Sequence, residues 1–86
     1  MVKSQTRPLA DIAYDIFRNW KNVSPHARPY LSAMFEMDKI EDPYYADPTC
    51  AFTVLYFLSN AQGWRGEDAR RIKKELNAMC KELNGY

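Results

Sequence analysis

His26 is the chain's single histidine, and Cys50 and Cys80 are its only thiols. A general base needs a nucleophile and an orienting carboxylate within hydrogen-bond reach. Around His26 the sequence offers only Ser24, in a stretch flanked by Pro25 and Pro29, so His26 reads as a surface or capping residue. Structural zinc sites draw their ligands from closely spaced pairs, and no two of His26, Cys50 and Cys80 stand at such a spacing. Both cysteines lie in apolar helical stretches, where a thiol behaves as a small hydrophobe, and two cysteines make no disulfide framework. The expectation is a protein that is not an enzyme, with no cofactor, no metal and no small-molecule substrate.

Two groups of residues could instead recognise a partner. The stretch Glu41-Asp42-Pro43-Tyr44-Tyr45-Ala46-Asp47 holds three carboxylates and two tyrosines. It lacks the alternating acidic positions and the glycine of a calcium loop. It reads either as a solvated connector or as a recognition surface, because tyrosine presents large, rigid, amphipathic area. Methionine adapts to irregular surfaces, so Tyr30, Met34, Met37, Tyr44 and Tyr45 form the candidate protein-binding set. The expected partner is another protein, with a second copy of the chain as one form. The alternative is nucleic acid, held by Arg65, Arg70, Arg71, Lys73 and Lys74.

The basic cluster invites comparison with a helix-turn-helix, in which a short glycine-containing turn precedes a recognition helix. Helix three is expected to be longer than the usual first helix of that motif. Glu67 and Asp68 would also face phosphates from the first turn of helix four. A plain antiparallel helical hairpin with a wet basic face fits better. Trp64 is expected to plug the end of the bundle, with Arg65 capping nearby carbonyls.

Four helices must position these groups. Pro8 suits a first helical turn, and Leu9, Ile12, Ala13, Ile16, Phe17 and Trp20 then follow the i, i+3, i+4, i+7 stripe of an amphipathic helix over 8–21. Ser24-Pro25 should cap one short turn at 25–28. A second helix over 29–39 follows, with its apolar residues too widely spread for one stripe: either Met37 is exposed or two faces are covered. Asp42-Pro43 and Asp47-Pro48 break the chain, and Asp47 should cap helix three over 48–61. That helix is apolar almost all round, which predicts a central element packed on several sides. Gly63 and Gly66 bound the next turn. Ala69, Ile72, Leu76, Met79 and Leu83 then repeat along helix four over 67–84, with Gly85 closing it and Arg71–Glu75 as an i, i+4 pair. The fold class is all-α, a compact irregular four-helix bundle.

Eighty-six residues suit one domain spanning 1–86, with 1–6 expected as a flexible lead. Hydrophobic residues make up 47% of the chain, including two Trp, six Tyr and four Phe, which rules out a composition typical of disorder. The net charge of +1 gives no whole-protein field able to draw in nucleic acid or membrane. Its distribution is uneven: residues 1–33 carry five basic and two acidic groups, 34–60 one and five, and 61–86 six and four. The longest apolar run, Ala51 to Leu58, is far short of the roughly 20 residues that cross a bilayer. No secretory leader pattern opens the sequence, so a reducing cytoplasm is the expected setting.

The pattern Asn19-Trp20-Lys21-Asn22-Val23, Pro29-Tyr30-Leu31 with Ala33-Met34, Tyr56-Phe57-Leu58 with Asn60-Ala61, and Trp64-Arg65-Gly66 with Ala69-Arg70 and Ile72-Lys73-Lys74-Glu75-Leu76 resembles small, mostly uncharacterised proteins of phages and integrative elements of Gram-positive bacteria. The matching residues are packing and capping residues, so no catalytic or binding role carries over. The resemblance implies action in the cytoplasm of a bacterial host.

Overall fold

Pro8 lacks an N–H and its φ of −59° already suits the start of a helix, and α1 runs from Leu9 to Asn19 directly behind it. No side chain caps this start. The Leu9 and Ala10 N–H groups instead donate to the carbonyls of Asp38 and Met37, at 2.8 and 3.0 Å. The chain leaving α2 therefore caps α1, which satisfies donors that a helix start leaves open. The computed structural model describes residues 7–83. The expected lead at 1–6 and the helix stop at Gly85 lie outside them.

Ser24 makes the tight turn that follows. Its Oγ accepts from the Ala27 N–H at 3.2 Å and donates to the Asn60 carbonyl at 3.2 Å. The turn feeds straight into α2, Arg28–Met34, with Pro29 in its first turn. This helix is shorter than the expected 29–39. After Met34 the backbone tightens: Phe35, Glu36 and Met37 donate to Ser32, Ala33 and Met34, three residues back. Such i→i+3 winding eclipses side chains three apart, so Leu31, Met34, Met37 and Ile40 all fall on the core side and all are buried. Of the two expectations for this helix, exposure of Met37 fails, while two sides are covered: α2 packs on both α1 and α3.

The acidic loop closes on itself. Tyr44 and Asp47 exchange both backbone hydrogen bonds, at 3.1 and 3.0 Å, and Tyr45 takes the left-handed φ of 54° that this reversal needs. The Cys50 N–H donates to the Ile40 carbonyl at 3.0 Å and ties the two ends of the loop together. With Asp47 held in that pairing, Thr49 supplies the first-turn contact, its Oγ1 accepting from the Ala51 N–H at 3.3 Å. Helix α3 accordingly runs Ala51–Ser59, later than the expected 48. Helix α4 spans Glu67–Leu83.

Each helix packs on two others: α1 on α2 and α4, and α3 on the same pair. The four sit at the corners of a bundle 33 × 29 × 21 Å in extent. Leu9, Ile12, Ile16, Met34, Val54, Phe57, Ile72 and Leu76 fill the middle and are fully buried. Trp20, just past α1, stacks on Trp64 at 5.4 Å and meets Phe57 edge-on at 6.2 Å. Trp64 thus plugs one end of the bundle, as its sequence context suggests.

A corner position overturns the expectation of α3 as a buried axis. Ala51, Thr53, Val54 and Phe57 face inward, while Phe52, Leu55 and Tyr56 remain 44, 42 and 54% exposed. Phe17, expected in the core stripe of α1, is also exposed, lying edge-on against Phe35 at 6.2 Å.

Candidate functional site

The candidate protein-binding residues do not form one surface. Met34 and Met37 are core residues, at 0 and 4% exposure, and leave the set for the reason just given. Tyr44 is half-buried, with its hydroxyl donating to Glu36 Oε1 at 3.2 Å and its ring edge-on to Tyr45 at 4.6 Å. Tyr45 alone of the five stands fully in solvent. Tyr30 is half-buried and stacks on Tyr56 of α3 at 5.5 Å, which moves attention to a helix outside the original set.

On α3, Phe52, Leu55, Tyr56 and Ser59 stand at i, i+3, i+4 and i+7, so they share one helix face, and all four are exposed. The face carries no charge, and the Tyr30–Tyr56 stack extends it onto α2. Large exposed apolar patches are a general feature of interaction surfaces, which makes this face the candidate. An apolar run covering every face of a helix was the available signal in the sequence. It shows that more apolar area exists than one corner of a bundle can bury, without showing which side is left out. A second cluster, Tyr14 and Phe17 against Phe35, lies between α1 and α2.

The basic candidates separate into two groups. Arg71 points toward α1, with Nη1 on Asp15 Oδ2 at 3.2 Å and Nη2 on Asp68 Oδ1 at 3.1 Å. The expected Arg71–Glu75 pair is not formed. Glu75 is instead taken by Arg7 through two parallel hydrogen bonds of 3.0 and 2.8 Å, the strong bidentate form. Arg71 is therefore committed within the fold and leaves the nucleic-acid set.

The other cations gather on the opposite side of α4. Arg70, Lys73, Lys74, Asn77 and Lys81 recur at helical spacing along one face, with Asp68, Glu75 and Glu82 on the other. From Ala69 onward this face carries no carboxylate; Glu67 borders its first turn. Arg70 and Lys74 are like charges at i, i+4, an arrangement that destabilises a helix by about 0.2–0.5 kcal/mol. Residues 60–66 join α3 to α4, longer than the 3–4-residue turn of a helix-turn-helix, although α3 itself is shorter than expected.

At the start of this face, Gln62, Trp64, Arg65, Gly66, Ala69, Arg70 and Lys73 line a shallow cavity of about 280 Å³. Lys73 Nζ donates to the Trp64 carbonyl at 2.7 Å and lies 5.9 Å from the centre of its indole. It is Lys73, not Arg65, that satisfies this turn. Burial lowers the Lys73 pKa, and the charge of Arg65 lowers it further.

Groups suited to covalent chemistry are quiet. Burial, then the charge of Asp42, pushes the Cys50 thiol up, and burial raises that of Cys80, the reverse of what an activated cysteine needs. His26 is exposed on its turn. Among the described residues no three His, Cys, Asp or Glu side chains are grouped to hold a metal ion, and no helix is long and apolar enough to cross a membrane. No family model, curated protein or solved structure matches the chain.

Proposed function

We propose that the chain is a non-enzymatic interaction module that docks on another protein through the outer face of α3. The observation that carries this reading is the uncharged, exposed set Phe52, Leu55, Tyr56 and Ser59, continued by Tyr30. Large apolar side chains left in water are a standing cost, and covering each fully contributes about 1.5–3 kcal/mol, less here because each is already about half covered. Aromatic anchors are also the residues on which binding energy concentrates. The resemblance to phage and integrative-element proteins supports a bacterial cytoplasm as the setting and a host protein as the partner, with inhibition of that protein as one form of the role.

The test compares wild-type protein with Phe52→Lys and Leu55→Lys, each checked by circular dichroism for unchanged helix content. A partner captured from Gram-positive lysate should bind at least about tenfold more weakly to both variants. If both variants retain the same proteins as strongly as wild type, the α3 reading is wrong. Light scattering of wild type and Leu55→Lys tells a homodimer from a foreign partner.

The carboxylate-free face of α4 favours a second reading, a regulator that binds nucleic acid through Arg70, Lys73, Lys74 and Lys81. It stands or falls on whether the chain retards mixed-sequence DNA or RNA at low salt.

A further inference from the structure

Lys73 is an unusual cation for a helix surface. It is half-buried, it sits at the wall of a cavity, and its ammonium is held by a backbone carbonyl rather than a carboxylate. That carbonyl uses one of its three N–H donors. Arg65 and Arg70 line the same cavity, and among the described residues neither guanidinium has an ion pair or a hydrogen bond. No lining residue is acidic. Of the carboxylates nearby, Asp68 is engaged by Arg71 and Glu75 by Arg7, and Glu67, the first residue of α4, is exposed and lies outside the lining.

Three positive groups around one cavity repel one another; burial lowers the Lys73 pKa, and the charge of Arg65 lowers it further. Packing does not require the arrangement, since Arg65 and Arg70 are exposed and could point to bulk solvent from other positions. An anion in the cavity removes the repulsion and gives each cation a charge-assisted hydrogen bond. Guanidinium forks match phosphate oxygens, and Gln62 adds a neutral amide donor. The volume of about 280 Å³ lies at the lower limit of small-molecule sites. It suits one phosphate group rather than an extended cofactor.

We propose that the cavity between the 60–66 connection and the first turns of α4 is a phosphate-binding site, with Arg65, Arg70 and Lys73 holding the phosphate group of a small phosphorylated compound or of a nucleic-acid end. The site goes beyond both readings above, because a free phosphate would bind whether or not a polymer or a protein partner does.

The probes are inorganic phosphate and pyrophosphate, titrated into ¹⁵N-labelled protein at low salt, with chloride holding ionic strength constant. Amide shifts confined to residues 62–73 should saturate at one equivalent per chain. Arg65→Gln and Arg70→Gln should each weaken binding about tenfold, the scale of one lost charge-assisted hydrogen bond. Lys74→Gln, on the same helix but outside the cavity, should change it less than about twofold. All three side chains are exposed, so none of these changes threatens the fold. Shifts that never saturate, or a Lys74→Gln loss equal to that of Arg70→Gln, mean diffuse charge attraction and overturn the site. A parallel titration separates the two sources. Tighter binding of a 5′-phosphorylated oligonucleotide than of its unphosphorylated twin assigns the ligand to a nucleic-acid end. Equal binding of the two, with phosphate still saturating, assigns it to a small compound.

Discussion

Asp15 shows how much one side chain can organise in a chain of this size. Its carboxylate receives Arg7 and Arg71, each at 3.2 Å, and Arg7 passes the link on to Glu75. The network therefore joins α1, and Arg7 two residues before its start, to α4. Surface pairs are usually worth under about 1 kcal/mol, but Asp15 is 13% exposed at its side chain and belongs to a network. Burial raises its pKa, and the hydrogen bonds and charges of Arg71 and Arg7 outweigh that and hold it below the ordinary carboxylate value. A carboxyl depressed on folding stabilises at pH above its unfolded value, about 3.9, and that stabilisation is lost as pH falls through the folded value. Asp15→Asn should then lower stability by about 1 kcal/mol near neutral pH. In urea unfolding at a series of pH values, the gap between variant and wild type should close below about pH 4. A gap that stays constant down to about pH 2 would show that Asp15 acts by packing and not by charge.

Helix α2 shows where sequence periodicity stops being enough. The spacing of Tyr30, Leu31, Met34, Phe35 and Met37 fits no single 3.6-residue stripe, and the contradiction dissolves only when the winding tightens after Met34. The i→i+3 hydrogen bonds at Phe35, Glu36 and Met37 place Met37 beneath Met34, in the core. Met37→Ala should therefore cost about 2–5 kcal/mol, as cavity-forming truncations do. Tyr45→Ala, on the fully exposed loop tip, should stay within about 0.5 kcal/mol. Equal, small effects in thermal unfolding would put Met37 back on the surface. Helices α1 and α4 are legible from the chain because Leu9, Ile12, Ala13 and Ile16, and Ala69, Ile72, Leu76 and Met79, repeat at one period over several turns. Caps are less so: Asp47 has the right chemistry for the start of α3, yet its backbone is held in the loop pairing with Tyr44. The exposed face of α3 is illegible for a different reason. Its residues are as apolar inside as outside, and only tertiary placement at a corner of the bundle decides which four meet water.

At the scale of the whole molecule, a net charge of +1 conceals a division of labour along α4. Toward α1, Asp68, Arg71 and Glu75 are consumed in ion pairs that hold the bundle together. Away from it, Arg70, Lys73, Lys74 and Lys81 face outward with no carboxylate among them. Long-range steering is weak for a nearly neutral protein, so any polyanion must be held by this face at short range. Affinity would then depend on how many phosphates it neutralises. For about four contacts on duplex DNA the logarithm of affinity falls with the logarithm of salt at a slope near −3.6, roughly a hundredfold loss between about 50 and 200 mM. The variant to compare is Arg70→Glu, Lys74→Glu and Lys81→Glu together, because all three side chains are exposed and Lys73 must keep its hold on the Trp64 carbonyl. A gel shift present at about 50 mM salt, lost at about 200 mM and absent in the triple variant supports nucleic-acid binding by α4. If wild-type protein retards neither DNA nor RNA at the lower salt, the basic face does not bind polymer.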